Sequence, residues 1–196
     1  MAPRRATSVQ ELVDAAARVF ERKGFVEATI SDIAAEAGVS KPTVYQYVES
    51  KRWLLETIVE QVIYPLRHSI DEIINSDLDS REKLMRYLRV QVTSAVRYRT
   101  YYAVLFSDQH QLSAQALRNY LSWARDLNHA AAGLFEVCAK DGFVRADLDI
   151  TVAVNLINGM ALSISRWYTP GGRVSVEELL SQVVGLLSGF IQPEGG

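Results

Sequence analysis

Residues 29–51 constrain the fold more than any other part of the chain. They contain a short amphipathic helix pattern at 31–37, then Gly38, then a second helix pattern that opens at Lys41 and Pro42. Glycine suits a sharp turn between packed helices, because it adopts left-handed backbone conformations at little cost. Proline is acceptable in a first helical turn, where its missing N–H has no intrahelical partner. This spacing is typical of a helix-turn-helix and favours DNA binding.

The remainder of the chain shows helical spacing throughout, with no strand pattern or internal repeat. We therefore predict an all-α fold of about nine helices, in which Ser8 caps the first helix and Gly24 stops it. The fourth predicted helix contains Pro65, which should kink or divide it and so mark the joint between an N-terminal module and the rest. Ser175 and Glu178 form a predicted capping box for the ninth helix, which should end near residue 191.

Composition narrows the classes of function. No apolar stretch approaches the ~20 residues of a membrane span, and the N-terminus lacks the apolar region of a signal peptide. A single cysteine, Cys138, rules out an internal disulfide framework and a cysteine-based zinc site. We therefore expect a cytoplasmic protein without membrane association.

Bulk charge gives no support to nucleic-acid binding, since the formal net charge is −2. The placement of charge matters more, because Lys41 and Lys51 flank the second helix of the turn motif. Binding to DNA should then be modest in affinity and sensitive to salt.

Catalysis is not expected. His68, His110 and His129 are scattered, with no cysteine or carboxylate at the spacing of metal ligands. No Ser-His-Asp arrangement or phosphate-binding loop is visible. We predict no catalytic residues, no metal and no cofactor.

The last two predicted helices differ from the others. The eighth is apolar nearly all round, which indicates that both sides are covered. The ninth combines an apolar face with glycines, each of which costs about 1 kcal/mol relative to alanine unless close helix packing compensates. We interpret the pair as a subunit interface, with an ordinary intramolecular core as the alternative. The predicted dimerisation residues are Val176, Leu180, Ser181, Val184, Gly185, Ser188 and Gly189.

The chain resembles the TetR family of transcriptional regulators. The resemblance covers roughly the first quarter of the chain and rests on the motifs at 13–16, Phe20, 24–25, Thr29, 33–34, 37–41, 43–47 and 50–51. Val48 stands where family members often have phenylalanine, and should still fill the core behind the recognition helix. The resemblance implies a helix-turn-helix DNA-binding domain at residues 1–50 and a ligand-binding and dimerisation domain at 51–196.

It further implies a homodimer in which helices eight and nine form a four-helix bundle. Two recognition helices would then contact a palindromic operator, with half-sites about 34 Å or a related multiple apart. A small molecule bound in the larger domain would change the separation of the two heads and release the DNA. A coupling of about 1–3 kcal/mol is enough for useful regulation.

The resemblance also implies which residues contact DNA. Lys41 and Gln46 suit base edges in the major groove, while Thr43, Tyr45 and Tyr47 suit phosphates. For Thr29 the alternative is helix capping, and for Tyr45 it is core packing. The predicted DNA-binding residues are Thr29, Ser31, Ser40, Lys41, Pro42, Thr43, Tyr45, Gln46, Tyr47 and Lys51.

The effector site is predicted from aromatic, amide and basic groups in the larger domain, with an aromatic core as the alternative. Segments 143–149 and 166–172 resemble family members that respond to acyl-CoA thioesters, so an acyl chain would lie in the apolar interior and the phosphates near arginines. The predicted effector-binding residues are Arg97, Tyr98, Tyr101, Tyr102, Phe106, His110, Trp123, Leu127, Asn155, Asn158, Arg166 and Trp167.

Two rival hypotheses remain open at this level. One is a helical ligand carrier or enzyme with a fortuitous helix-turn-helix. The other is a DNA-binding activator or architectural protein without a ligand, because the sequence does not separate repression from activation. The operator sequence and the effector are equally undetermined.

Overall fold

The computed structural model describes residues 8–187, which form nine α-helices and one short 3-10 turn. The prediction of an all-α fold is confirmed. No helix in this range combines the length and apolarity needed to cross a membrane. The helices are α1 (Val9–Glu27), α2 (Ile30–Ala37), α3 (Lys41–Tyr47), α4 (Lys51–Ile74), α5 (Ser80–Arg97), α6 (Arg99–Asp108), α7 (Ala114–Lys140), α8 (Ile150–Trp167) and α9 (Val176–Leu186).

Local side-chain caps set the starts of several helices. Ser8, Thr29 and Ser175 each accept a hydrogen bond from the backbone N–H three residues later, and the acidic side chain at that position accepts the backbone N–H of the cap residue. This reciprocal arrangement is a capping box, which satisfies two of the N–H groups left without helical partners. The predicted starts of α1 and α9 are confirmed, as is the capping alternative for Thr29. The predicted end of α9 near residue 191 lies outside the described residues.

Two glycines adopt positive φ angles in the N-terminal region. Gly38 ends α2 in the left-handed conformation (φ 69°, ψ 30°), as the helix-turn-helix pattern predicts. Gly24, with φ 76° and ψ 156°, breaks α1, but one further helical turn follows it to Glu27. The predicted stop at Gly24 therefore coincides with the break in α1, and one further turn follows it.

Pro65 does not divide α4. The helix is continuous from Lys51 to Ile74, and Pro65 lies on its exposed side. A proline there removes one backbone hydrogen bond without ending the helix, because the chain on either side is held by buried apolar residues.

The described chain forms two compact units. The first contains residues 8–63 and Thr100–Leu121, and the second contains Tyr64–Arg99 and residues 122–187. The first boundary therefore falls between Ile63 and Tyr64, close to Pro65.

In the first unit, α1 packs against α2, and α2 packs against α3. The core includes Phe20, whose ring meets that of Phe25 edge to face at 5.4 Å. Glu36 on α2 forms ion pairs with Arg18 and Arg22 on α1, at 2.7 and 2.6 Å. Helix α2 is therefore held against α1 both by core packing and by the ion pairs of Glu36.

Helix α6 belongs to the same unit and is hydrogen-bonded to α1. The Tyr101 hydroxyl donates to Asp14, and the Gln10 side-chain amide donates to the Tyr101 hydroxyl at 3.1 Å. The buried carboxylate of Asp108 accepts the backbone N–H of Phe25 at 3.2 Å. These bonds join the two ends of α6 to α1.

In the second unit, α5 packs against α8 and α9. The inward face of α8 is buried, as at Val154, Ile157 and Ile164. The described residues 8–187 leave the opposite face uncovered, since Leu156 is 69% exposed and Trp167 is 60% exposed. The prediction that the eighth helix is covered on both sides, with a second subunit as the cover, stays a prediction.

Candidate DNA interface and effector site

The recognition helix α3 is fixed to the core by its apolar side. Val44 within the helix and Val48 at its C-cap are almost fully buried, at 0% and 2% exposure. At the N-terminus, the Ser40 hydroxyl accepts the backbone N–H of Thr43 at 3.2 Å and lies 2.7 Å from the Thr43 hydroxyl. The expectation that Val48 fills the core behind α3 is confirmed.

The other side of α3 faces outward with polar groups. Tyr45 is 53% exposed and Tyr47 is 47% exposed, so the core-packing alternative for Tyr45 is wrong. Lys41, Pro42 and Gln46 are exposed as well. An ammonium, an amide and phenolic hydroxyls on one short helix offer the donors that base edges and phosphates accept.

The N-terminus of α2 is exposed as well, at Thr29 and Ser31, but some of its polar groups form hydrogen bonds within the protein. The Thr29 hydroxyl is within hydrogen-bond distance of the Asp32 N–H (3.1 Å) and carboxylate (2.8 Å). Hydrogen bonds from Lys23 and Thr29 lower the pKa of Asp32 to about 2, so the carboxylate stays ionised. Ser31, next to Asp32, is exposed. Of the Thr29 and Ser31 hydroxyls, that of Thr29 is the one used in the helix cap.

Lys51 differs from the other predicted DNA-binding residues. Its ammonium donates hydrogen bonds to the backbone carbonyls of Phe25 (2.7 Å), Val26 (3.1 Å) and Ala28 (2.7 Å). It is also 4.5 Å from the centroid of the Phe25 ring. All these contacts of Lys51 are therefore made within the protein. No pattern in the sequence near Lys51 predicts them.

The predicted effector-binding residues are divided between the two compact units. Tyr101, Tyr102, Phe106 and His110 belong to the first unit, where both tyrosines are buried and His110 is exposed. The remaining members belong to the second unit. Of these, Trp123 is buried, Tyr98, Leu127 and Asn158 are half-buried, and Arg97, Asn155, Arg166 and Trp167 are exposed.

Asn158 is linked by hydrogen bonds to three other side chains. Its Oδ1 accepts hydrogen bonds from the Tyr87 hydroxyl at 2.6 Å and from Gln91 Nε2 at 2.8 Å. Its Nδ2 donates to Asn128 Oδ1 at 2.8 Å, and Asn128 in turn donates to Asn155 at 3.3 Å. These five side chains form a continuous amide network from the interior of the unit to the surface of α8.

Two surface grooves occur elsewhere in the second unit. One, of about 450 Å³, is lined by residues of α4 and α5 that include Arg86 and Arg89. The other, of about 430 Å³, lies among α4, α5 and α7 and is lined by Lys83, His129 and Asp141. None of the predicted effector-binding residues lines either groove.

A cluster of metal-ligating side chains is not assembled in the described part of the chain. Within residues 8–187, no three side chains of histidine, cysteine, aspartate or glutamate converge as metal ligands would. The Cys138 thiol is buried and donates to the Ser80 carbonyl oxygen at 3.2 Å. Burial raises the pKa of this thiol to about 11, so it is held in the unreactive protonated form.

The predicted dimerisation residues on α9 differ in exposure. Ser181 and Gly185 are exposed, Val176 and Val184 are half-buried, and Leu180 is buried within its own unit. Ser188 and Gly189 lie outside the described residues. The exposed apolar residues Val152 and Leu156 on α8 are absent from the predicted set, although their four-residue spacing on one face could have indicated them.

Two family models match the chain, and together they span most of its length. The model described as bacterial regulatory proteins, tetR family, matches residues 12–58, and the one described as tetracyclin repressor-like, C-terminal domain, matches residues 77–191. The HTH-type transcriptional repressor KstR2 of Rhodococcus jostii (strain RHA1) is 29% identical over 185 residues, which are 93% of this chain and 91% of that protein.

Solved structures show the same fold. The ketosteroid transcriptional regulator KstR2 of Mycobacterium tuberculosis superposes with a TM-score of 0.87 at 20% identity, covering 99% of this chain and 100% of that chain. AibR, solved in complex with isovaleryl coenzyme A and operator DNA, gives a TM-score of 0.76 at 20% identity over 90% of this chain and 96% of its own.

The family match over both parts of the chain does not agree with a carrier or enzyme that has a fortuitous helix-turn-helix. The first match includes α2 and α3, whose outward polar face is the one expected to meet DNA. The chain belongs to the TetR family of bacterial regulatory proteins, and it is a DNA-binding transcriptional regulator.

Proposed function

We propose that the chain is a cytoplasmic repressor that binds a palindromic operator as a homodimer and is released by a small hydrophobic effector. Residues 1–50 form its DNA-binding domain, and residues 51–196 form its ligand-binding and dimerisation domain. The observation that carries the DNA-binding part is the division of α3 into a buried apolar side at Val44 and an exposed polar side at Tyr45, Gln46 and Tyr47.

In this proposal Lys41 and Gln46 contact base edges, while Thr43, Tyr45 and Tyr47 contact phosphates. Ser31 at the start of α2 supports the phosphate contacts, since a helix N-terminus favours anions. A single head offers only a few base contacts, so specific binding requires two copies on a two-fold symmetric site.

Dimerisation through α8 and α9 is supported by the uncovered apolar face of α8. Val152, Leu156 and Trp167 are 54%, 69% and 60% exposed in the single chain. Exposed apolar patches of this kind mark interaction surfaces. A second copy of the same face would cover them, and the exposed Ser181 and Gly185 on α9 allow close approach of helices.

An acyl-CoA thioester is the effector class we propose. The support is the resemblance of segments 143–149 and 166–172 to family members that respond to such thioesters, together with AibR, a structural neighbour solved with isovaleryl coenzyme A. In this proposal the exposed Arg97 and Arg166 contact the phosphates, and Tyr98, Trp123 and Leu127 contact the acyl group.

The test begins with selection of operators from a random duplex library, so that the position of the operator in a genome does not matter. Fluorescence anisotropy then measures affinity for the selected duplex, with and without acyl-CoAs of increasing chain length. Free coenzyme A and free fatty acids are the matched ligand controls. Gln46→Ala should weaken and broaden selection, whereas Gln115→Ala, which removes an exposed amide from α7, should not.

We expect a palindromic sequence bound with strong salt dependence and released by one class of thioester. Binding that no thioester relieves would reject the effector class and leave the DNA-binding function intact. Failure to select any palindrome would reject the operator part of the proposal.

A further inference from the structure

Lys51 is the first residue of α4, and all three donors of its ammonium are used inside the protein. They point to the carbonyl oxygens of Phe25, Val26 and Ala28 at 2.7, 3.1 and 2.7 Å. The Phe25 ring centroid lies 4.5 Å from the same nitrogen. A lysine ammonium has three N–H donors and no acceptor, so this set of carbonyls saturates it.

These carbonyls belong to the end of α1 and the junction that follows. The last carbonyls of a helix have no intrahelical partners and carry partial negative charge, which a cation stabilises. Helix α1 has no basic residue in its own last turn. Lys51 supplies the missing cation from a different helix, 23 to 26 residues further along the chain.

The contact between Lys51 and Ala28 joins residues on either side of the helix-turn-helix. Ala28 immediately precedes Thr29, the N-cap of α2, and Lys51 follows the loop after α3. The bond from Lys51 to Ala28 therefore closes the α2–α3 segment at its two ends. The backbone N–H of Phe25 is held as well, by the buried Asp108 of α6.

We infer that Lys51 is a positioning residue, which clasps the two ends of the helix-turn-helix and holds α2 and α3 in the orientation that meets DNA. This inference rests on the proposed contacts of α2 and α3 with the operator. It removes Lys51 from the residues predicted to contact DNA directly, because such a contact needs a free N–H donor and the three N–H groups of this ammonium are used by Phe25, Val26 and Ala28.

The two roles predict different salt dependence. A lysine that neutralises a phosphate releases a counterion, and its loss lowers the slope of log affinity against log salt by about one per protomer. A lysine that only orients the helices contributes nothing to that slope. Its loss weakens binding by the same factor at every salt concentration.

The variants are chosen to separate these roles. Lys51→Met keeps the aliphatic stem and removes the ammonium. Lys51→Arg keeps the charge, but its planar guanidinium cannot converge on three carbonyls as a compact ammonium does. Lys41→Met is the comparison for a proposed DNA contact, and Lys140→Met, on the exposed surface of α7, is the control for loss of one positive charge.

Affinity for the selected operator is measured over a range of salt concentrations at a temperature where each variant is folded by circular dichroism. We expect Lys51→Met and Lys51→Arg both to weaken binding at least about tenfold with the wild-type slope. Lys41→Met should weaken binding and relax specificity, as expected for a base contact, and Lys140→Met should match wild type in affinity and slope. A lowered slope for Lys51→Met with full activity of Lys51→Arg would assign a phosphate contact and overturn the inference. Wild-type affinity of the folded Met variant would overturn it too.

A measurement on the wild-type protein covers the case in which the Met variant does not fold. Reductive dimethylation of the free protein, followed by peptide mass spectrometry, reports how readily each lysine amine reacts. We expect Lys51 to be protected without DNA, while Lys41 and Lys140 react. Equal rates for Lys51 and Lys41 in the free protein would overturn the inference, whatever the outcome of operator selection.

Discussion

The hydroxyl of Tyr87 on α5 donates a 2.6 Å hydrogen bond to Oδ1 of Asn158 on α8. Burial raises the pKa of Tyr87 to about 12, so the hydroxyl remains a donor at all physiological pH values. Gln91 completes the group, since its Nε2 donates both to the Tyr87 hydroxyl at 2.9 Å and to Asn158 at 2.8 Å. The side chain predicted to contact an effector is thus also a structural link between two helices.

This arrangement predicts unequal costs for removing its members. Asn158→Ala leaves the buried donors of Tyr87 and Gln91 without their acceptor and should lower the free energy of unfolding by about 2–4 kcal/mol. Tyr87→Phe should cost only about 1 kcal/mol, because Gln91 still bonds Asn158 directly. Urea denaturation measures both, and Asn155→Ala, at the exposed end of the network, should stay within about 0.5 kcal/mol of wild type. Equal losses in all three variants would contradict a network centred on Asn158.

The backbone conformations of the glycines predict how their alanine variants rank in free energy of unfolding. Gly24 has φ 76° and ψ 156°, a region open almost only to glycine, so Gly24→Ala should destabilise the protein by about 1–3 kcal/mol. Nothing lies within 4 Å of the added methyl group, so the whole cost comes from the backbone. Gly38→Ala, in the left-handed helical region, should cost about 1–2 kcal/mol.

Gly133→Ala is the matched control for these glycines. Gly133 lies exposed within α7, and a methyl group there also meets nothing within 4 Å. Because alanine favours helix, this variant should be about 0.5–1 kcal/mol more stable than wild type in thermal or urea denaturation. Destabilisation by Gly133→Ala, or none by Gly24→Ala, would contradict the assignment of strain to positive φ.

The ionised Asp32 predicts an acid-dependent part of the stability. Its pKa falls from 3.8 to about 2 on folding, chiefly through the hydrogen bond from Lys23. A carboxylate with a lowered pKa stabilises the folded state fully above its unfolded pKa, and this contribution is lost as pH falls through the folded value. The stability difference between wild type and Asp32→Asn should therefore shrink from about pH 4 and disappear only below about pH 2, once the pH lies below both pKa values.

Urea titrations of both proteins at successive pH values measure that difference. Lys23→Met removes the main cause of the lowered pKa, so in this background the Asp32 contribution should disappear at a higher pH. Parallel stability curves for wild type and Asp32→Asn down to the lowest pH would show that the carboxylate is not linked to folding.

The exposed apolar face of α8 allows a test of the proposed dimer. Leu156→Glu and Trp167→Glu each place a charge on that face, where burial without a partner is costly, and should convert dimers to monomers. Light scattering coupled to size-exclusion chromatography measures the mass. Leu121→Glu changes an exposed leucine on α7 in the same manner and should leave the mass unchanged. A dimer that persists in both α8 variants would place the interface elsewhere.

The features that sequence predicted well are those with local causes. The caps at Ser8 and Ser175 and the turn at Gly38 depend on residues within three or four positions, so a short pattern is enough to identify them. The exposed face of α3 follows from the same periodicity, since Val44 and Val48 point inward.

The features that sequence missed depend on contacts between distant segments. The bonds of Lys51 reach back 23 to 26 residues, and Tyr87 meets Asn158 across 71 positions. No pattern of neighbours in the sequence contains this information.

The direction of the amide network has a consequence for how such regulators diverge. From Gln91 through Tyr87, Asn158, Asn128 and Asn155 every donor points the same way along the chain of bonds, towards the surface of α8. The rotation of α8 about its own axis is thereby set from inside the unit. The outward residues of α8 do not set this rotation and can mutate independently. Paralogues can therefore acquire incompatible surfaces and avoid mixed assemblies while the scaffold stays the same.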